Sequence, residues 1–117
     1  MGLYRLSIEG KEIMFINTWK GTRSGFAHET ELYIDGWRAA AARCRYINRT
    51  WERYSYQSVM LEAVHKLQEK ETEREKAHFL QVNGFKNMMS HRKPAFMEYL
   101  AGNENLLLYK KIEEALR

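Results

Sequence analysis

The stretch that decides the fold is Phe26-Ala27-His28-Glu29-Thr30-Glu31-Leu32-Tyr33-Ile34, then Asp35-Gly36, then Trp37-Arg38-Ala39-Ala40-Ala41-Ala42-Arg43-Cys44-Arg45. Phe26, His28, Thr30, Leu32 and Ile34 alternate with Glu29, Glu31 and Tyr33, the period of two that a half-buried strand requires. Asp-Gly between two strand-like runs is a strong hairpin signal, because a type I′ turn needs positive φ at both central positions. The alanine run has helix propensity of its own. The hairpin signal outweighs it and places a strand over 37–47. A two-residue turn then sets the register: Ile34 opposite Trp37, Leu32 opposite Ala39, Thr30 opposite Ala41, His28 opposite Arg43 and Phe26 opposite Arg45. That side is apolar near the turn, so a helix is expected on it. The other side, with Tyr33 and Arg38, Glu31 and Glu29 beside Ala40 and Ala42, then Cys44 and Tyr46, is expected to face water.

Working outward, residues 13–19 read as a strand, and Lys20-Gly21-Thr22-Arg23-Ser24-Gly25 as a hairpin loop. Residues 3–8 alternate as a short strand would, but Gly10 interrupts, leaving an edge strand or a loose end. Downstream, 48–56 form a connector, with Ser55 a candidate N-cap. Met60, Ala63, Val64 and Leu67 then make a helical stripe. Residues 68–76 are almost all charged, with Glu71–Arg74 among the supporting pairs, and Gly84 after Asn83 ends the helix. Pro94 suits the first turn of a helix ending near Leu100. Asn103 caps a last helix over 104–116, whose stripe is Leu106 or Leu107, Lys110, Ile112 and Leu116. The fold class is α+β: a three-stranded antiparallel β-meander, a long helix (β-β-β-α) and a short C-terminal helical tail. A single domain is expected, with its core over 12–67, a helical extension over 77–117, and the charged run as the hinge.

Composition bounds the function. The chain has 117 residues, 44% of them apolar and 29% charged, enough to fold one domain and too apolar for a disordered segment. One cysteine excludes an internal disulfide and points to a reducing, cytoplasmic setting. No apolar run suits a signal peptide or a membrane span. The net charge of +4 is compatible with nucleic acid or an acidic protein surface.

Motifs for chemistry are sparse. The four histidines and Cys44 have no metal-ligand spacing, so no metal or other cofactor is expected. Cys44 lies between Arg43 and Arg45, whose guanidiniums would activate a thiolate. Strand neighbours point to opposite faces, however, so a small half-buried residue is the expected reading. Glu29 and Glu31 share a strand face, with Glu52 in the connector, and such a set could hold Mg²⁺ in a small metal-dependent nuclease. The same acids could equally pair Arg38 or Arg43 on a solvated face. The most informative feature is a basic aromatic cluster. Lys20, Arg23, Arg38, Arg43, Arg45, Arg49 and Arg53 are interleaved with Trp19, Phe26, Tyr33, Trp37, Tyr46, Trp51, Tyr54 and Tyr56. Arginine clamps phosphate and aromatic faces stack on bases. The same residue types dominate protein–protein hot spots.

The segments Thr22-Arg23-Ser24-Gly25-Phe26-Ala27-His28 with Leu32-Tyr33, Tyr46-Ile47-Asn48-Arg49-Thr50-Trp51-Glu52-Arg53-Tyr54 and Tyr56-Gln57-Ser58-Val59-Met60 form a motif pair. It resembles one in small uncharacterised proteins of phages and plasmids of Gram-positive bacteria. The resemblance covers roughly residues 15–67. It implies a mobile-element accessory protein, a class that includes anti-defence factors such as anti-CRISPR inhibitors of Cas effectors. The β-β-β-α order is also similar to the core of a double-stranded-RNA-binding domain, without that domain's leading helix or the lysine-rich start of its last helix.

Three functions follow as expectations. The first is a non-enzymatic inhibitor that binds a host protein or nucleoprotein, such as a Cas effector. The second is a stand-alone nucleic-acid binder. The third is the nuclease of Glu29, Glu31 or Glu52. For the first two, Arg23, Arg49, Trp51 and Arg53 are the expected contact residues, because they lie on loops. Tyr33, Cys44 and Tyr46 offer a β-rich face to a second copy, a homodimer contact.

Overall fold

The computed structural model describes residues 2–22, 25–46, 56–83 and 93–117. Four strands come first: β1 Gly2–Ile8, β2 Lys11–Thr22, β3 Gly25–Ile34 and β4 Trp37–Tyr46. Three helices follow: α1 Tyr56–Asn83, α2 Lys93–Ala101 and α3 Glu104–Leu116. The strands form one antiparallel sheet in sequential order.

The sheet has four strands where the sequence predicts three. The extra strand is β1, and Gly10 makes it possible. Glu9 (φ 52°) and Gly10 (φ 80°) adopt nearly the angles of Asp35 (φ 51°) and Gly36 (φ 84°). Both pairs form tight two-residue hairpin turns. Glutamate is uncommon at positive φ, which disguises the first turn as an interruption. The two turns lie side by side and hold one another. The Glu12 N–H donates to Asp35 Oδ1 at 2.8 Å, and the Asp35 N–H donates to the Glu12 carbonyl at 2.8 Å.

The register of the β3–β4 hairpin departs from a strict two-residue count. Ile34 faces Trp37 and Tyr33 faces Arg38, but Leu32 faces Ala40, Thr30 faces Ala42 and His28 faces Cys44. A bulge between Leu32 and Tyr33 absorbs one residue, and Ala39 and Ala40 both pack against the core. The cause is the cost of burying an unpaired charge. An uninterrupted register would put Arg43 beneath the helix. The bulge sends Arg43 to the open face and brings Ala42 and Cys44 under α1. It also separates Tyr33, on the open face, from Cys44, so the dimer face expected from Tyr33, Cys44 and Tyr46 does not form as one surface.

α1 and α3 lie on one face of the sheet. Ile13, Phe15, Leu32 and Ala42 of the sheet meet Val59, Met60, Ala63, Val64 and Leu67 of α1 and Leu108, Tyr109, Ile112 and Leu116 of α3. Full burial of an aliphatic or phenylalanine side chain contributes about 1.5–3 kcal/mol. The α1 stripe is the expected one, and Asn103 caps α3, its side chain accepting from the Leu106 N–H at 2.8 Å. The α3 stripe is as expected at Leu106, Ile112 and Leu116, which pack on the core, but Leu107 is half exposed and Lys110 exposed, and Leu108 and Tyr109 are buried in their place.

α1 runs unbroken through the charged stretch 68–76. α3 lies antiparallel to it. Gln57 Nε2 donates to the Leu116 carbonyl at 2.5 Å, and His65 Nε2 lies 2.7 Å from Glu113 Oε1. Beyond the sheet, Phe79 of α1 packs edge-on against Phe96 of α2 (5.2 Å between centroids) and beside Tyr99, whose hydroxyl donates to Glu75 at 2.6 Å. No helix among the described residues is long and apolar enough to cross a membrane.

Candidate interaction surface

The bare face of the sheet carries most of the described cations of the basic aromatic cluster, and each has an acid beside it. Arg43 Nε lies 3.2 Å from Glu29 Oε1, and Lys20 Nζ 4.0 Å from Glu29 Oε2. Arg38 Nε lies 3.1 Å from Glu31 Oε2, which also accepts from the Tyr33 hydroxyl at 2.9 Å. That hydrogen bond, with burial and the Glu31 charge, pushes the Tyr33 phenol up from its ordinary value. A shallow depression of about 260 Å³ lies over Ala41, between the two ion pairs, and is lined also by Thr18 and Lys66. It is small for a site that would enclose a substrate.

Glu29 and Glu31 therefore act as counter-ions to arginines. Among the described residues, no three His, Cys, Asp or Glu side chains converge as metal ligands. Glu52 lies outside the described residues. Cys44 sits half-buried under α1, and burial, with a smaller push from Glu62, holds its thiol above the ordinary value. Strand alternation turns the neighbouring Arg43 to the opposite face.

The tryptophans occupy opposite ends of the sheet. Trp37 follows the Asp35-Gly36 turn and is 80% exposed. Trp19 lies opposite His28 at the other end and is 55% exposed. The described β1–β2 pairing runs from Ile8–Lys11 to Gly2–Asn17 and does not include Trp19. His28 stacks on Tyr56, the first residue of α1, with centroids 4.5 Å apart and planes at 19°. Burial lowers the His28 pKa, which favours the neutral ring.

The expected contact residues Arg23, Arg49, Trp51 and Arg53 all lie outside the described residues. The described residues that flank them, Thr22, Gly25, Tyr46 and Tyr56, come together at the Trp19–His28 end of the sheet. The sequence places Trp19, His28 and Tyr56 far apart and gives no sign that they meet. The register of β2 with β3 and the start of α1 bring them together. No family model matches this chain, and neither a curated protein nor a solved structure is significantly similar to it.

Proposed function

We propose that this chain is a non-enzymatic binding protein that seats its Trp19–His28–Tyr56 end and Trp37 on a host protein or nucleoprotein and blocks it. The mobile-element resemblance makes a Cas effector the first target to test. The observation that carries the reading is the pairing of Lys20, Arg38 and Arg43 with Glu29 and Glu31 on the open face, together with two exposed tryptophans held on strands at opposite ends of the sheet. A phosphate-binding face needs cations whose charge is not already matched. A protein-binding face needs rigid aromatic anchors with charged pairs around them. Arg23, Arg49, Trp51 and Arg53 remain the proposed loop contacts.

The test is co-purification with Cas effectors from a Gram-positive host, with target cleavage as the activity readout. Binding and lost cleavage are expected, and Trp19→Ala or Trp37→Ala should each weaken binding by about 2 kcal/mol, or roughly thirtyfold, at a hot spot. Unchanged cleavage with no captured effector overturns the reading. Binding to naked nucleic acid that falls steeply with salt would replace it with the nucleic-acid reading.

A further inference from the structure

The two outer strands of the sheet are built differently. β4 carries the bulge at Ala39 and two arginines tied to glutamates, devices that keep a sheet edge from pairing. β1 carries no bulge, no proline and a single charge, Arg5. Leu3 is 57% exposed on the open face and Tyr4 38% exposed on the helical face. Leu6 and Ile8 pack against the core yet remain half-buried, so the apolar layer is still open where it reaches this strand.

The register also fixes where the backbone of β1 points. Ile8 and Lys11 close a two-residue turn and form a hydrogen-bonded pair, so Gly2, Tyr4, Leu6 and Ile8 bond inward to β2. Glu12, opposite Ser7, turns its own N–H and carbonyl toward Asp35 instead. The N–H and carbonyl groups of Leu3, Arg5 and Ser7 therefore face outward along the edge.

We infer that β1 pairs antiparallel with β1 of a second copy, about a two-fold axis at Leu6. In that register Leu6 meets Leu6 and Tyr4 meets Ile8, which continues the half-open apolar layer across the axis. Arg5 and Ser7 form two narrow pairs that use the outward backbone groups. An axis at Arg5 would set two guanidiniums opposite each other. An axis at Tyr4 would spend Leu6 on Gly2 and Leu3 on Arg5. A contact of five residues a side is small, so the dimer belongs among weak, concentration-dependent interfaces.

Sedimentation equilibrium on the full chain, up to the millimolar range, tests this directly. The wild type should shift from monomer to dimer as concentration rises. Ser7→Glu places a carboxylate opposite Arg5 of the other copy and should tighten the dimer by about three- to tenfold, while Ser7→Lys should weaken it comparably. Ser7 is exposed and lies opposite Glu12, so each change alters the monomer's own stability by no more than about 1 kcal/mol. Arg5→Pro removes an N–H that β2 does not use and should abolish the dimer, with circular dichroism reporting whether the sheet persists. A wild type that stays monomeric throughout overturns the proposal. So does a dimer indifferent to both Ser7 variants, which would lack this register.

Discussion

Glu71 on α1 and Glu29 on β3 each hold a guanidinium, yet the two carboxylates sit in opposite settings. Glu71 is 7% exposed. It accepts from Arg74 at 2.5 Å, Asn103 at 3.1 Å and Asn105 at 3.2 Å. Glu29 is solvated, as are its partners Lys20 and Arg43. The seam between α1 and α3 uses a charge to fix where the last helix begins, since Asn103 caps α3 with one side-chain atom and binds Glu71 with another. The open face of the sheet uses charges to stay wet. The lesson is that a carboxylate acts through its surroundings: when buried with three donors it organises a fold, and when exposed with one or two it tunes a surface.

The largest test of this contrast is Glu71→Ala. It strands the Asn103 and Asn105 amides in a partly buried seam and should cost about 1–3 kcal/mol in denaturant unfolding. Acid should produce part of the same loss in the wild type. Burial alone would push the Glu71 carboxyl up, but the hydrogen bonds from Arg74, Asn103 and Asn105 and the Arg74 charge outweigh it and hold its pKa below the ordinary value. Glu113 is likewise held down, by His65 first and Arg117 second. A carboxylate depressed in the folded state contributes stability above its unfolded pKa, near ~4.3, and loses it as pH falls through the folded value. The melting temperature should therefore fall on acidification below about pH 4.3, and Glu71→Gln should flatten that fall. An unchanged acid profile would show that the seam is not held by this charge.

What the sequence made legible follows the same contrast. The Asp35-Gly36 hairpin, the Met60–Leu67 stripe and the Asn103 cap all depend on neighbours within a few residues, and all are visible in the chain. β1 was ambiguous because Glu9 fills a turn position where glycine, asparagine or aspartate is usual. The bulge was hidden because alanine fits either face. What decides it is the cost of burying Arg43, which is settled only once the helix lies on the sheet. The Asn105–Glu71 hydrogen bond was hidden as well, because its partners are 34 residues apart. At the far end of the sheet, the convergence of Trp19, His28 and Tyr56 arises from pairing across β2 and β3 and from the start of α1, and has no local signature.

A second test uses the core's other buried polar groups, which lack what Glu71 has. Asn17 and Thr30 face each other across β2 and β3 beneath Met60. Asn17 Nδ2 reaches the Met60 sulfur at 3.5 Å, but Asn17 Oδ1 and Thr30 Oγ1 find no hydrogen-bond partner among the described residues. Thr30→Val keeps the β-branch that suits a strand and deletes the unsatisfied hydroxyl. It should stabilise the protein by about 1 kcal/mol, opposite in sign to Glu71→Ala, in the same unfolding measurement. A loss instead would mean that the hydroxyl is satisfied in solution.

The smallest expected effect completes the comparison at its wet end. A double-mutant cycle on Glu29→Gln and Arg43→Gln should return a coupling of no more than about 0.5 kcal/mol, because both partners are solvated and salt screens them. The same cycle on Glu71 and Arg74 involves one buried partner and should couple more strongly and depend less on salt. If Glu29 and Arg43 proved the stronger pair, the open face would be preorganised rather than merely solvated. Arg43 would then be held rigid beside the depression over Ala41, ready to meet a partner's carboxylate without losing side-chain freedom on binding. Stability measured on these two residues alone thus bears on the proposed binding role of the surface.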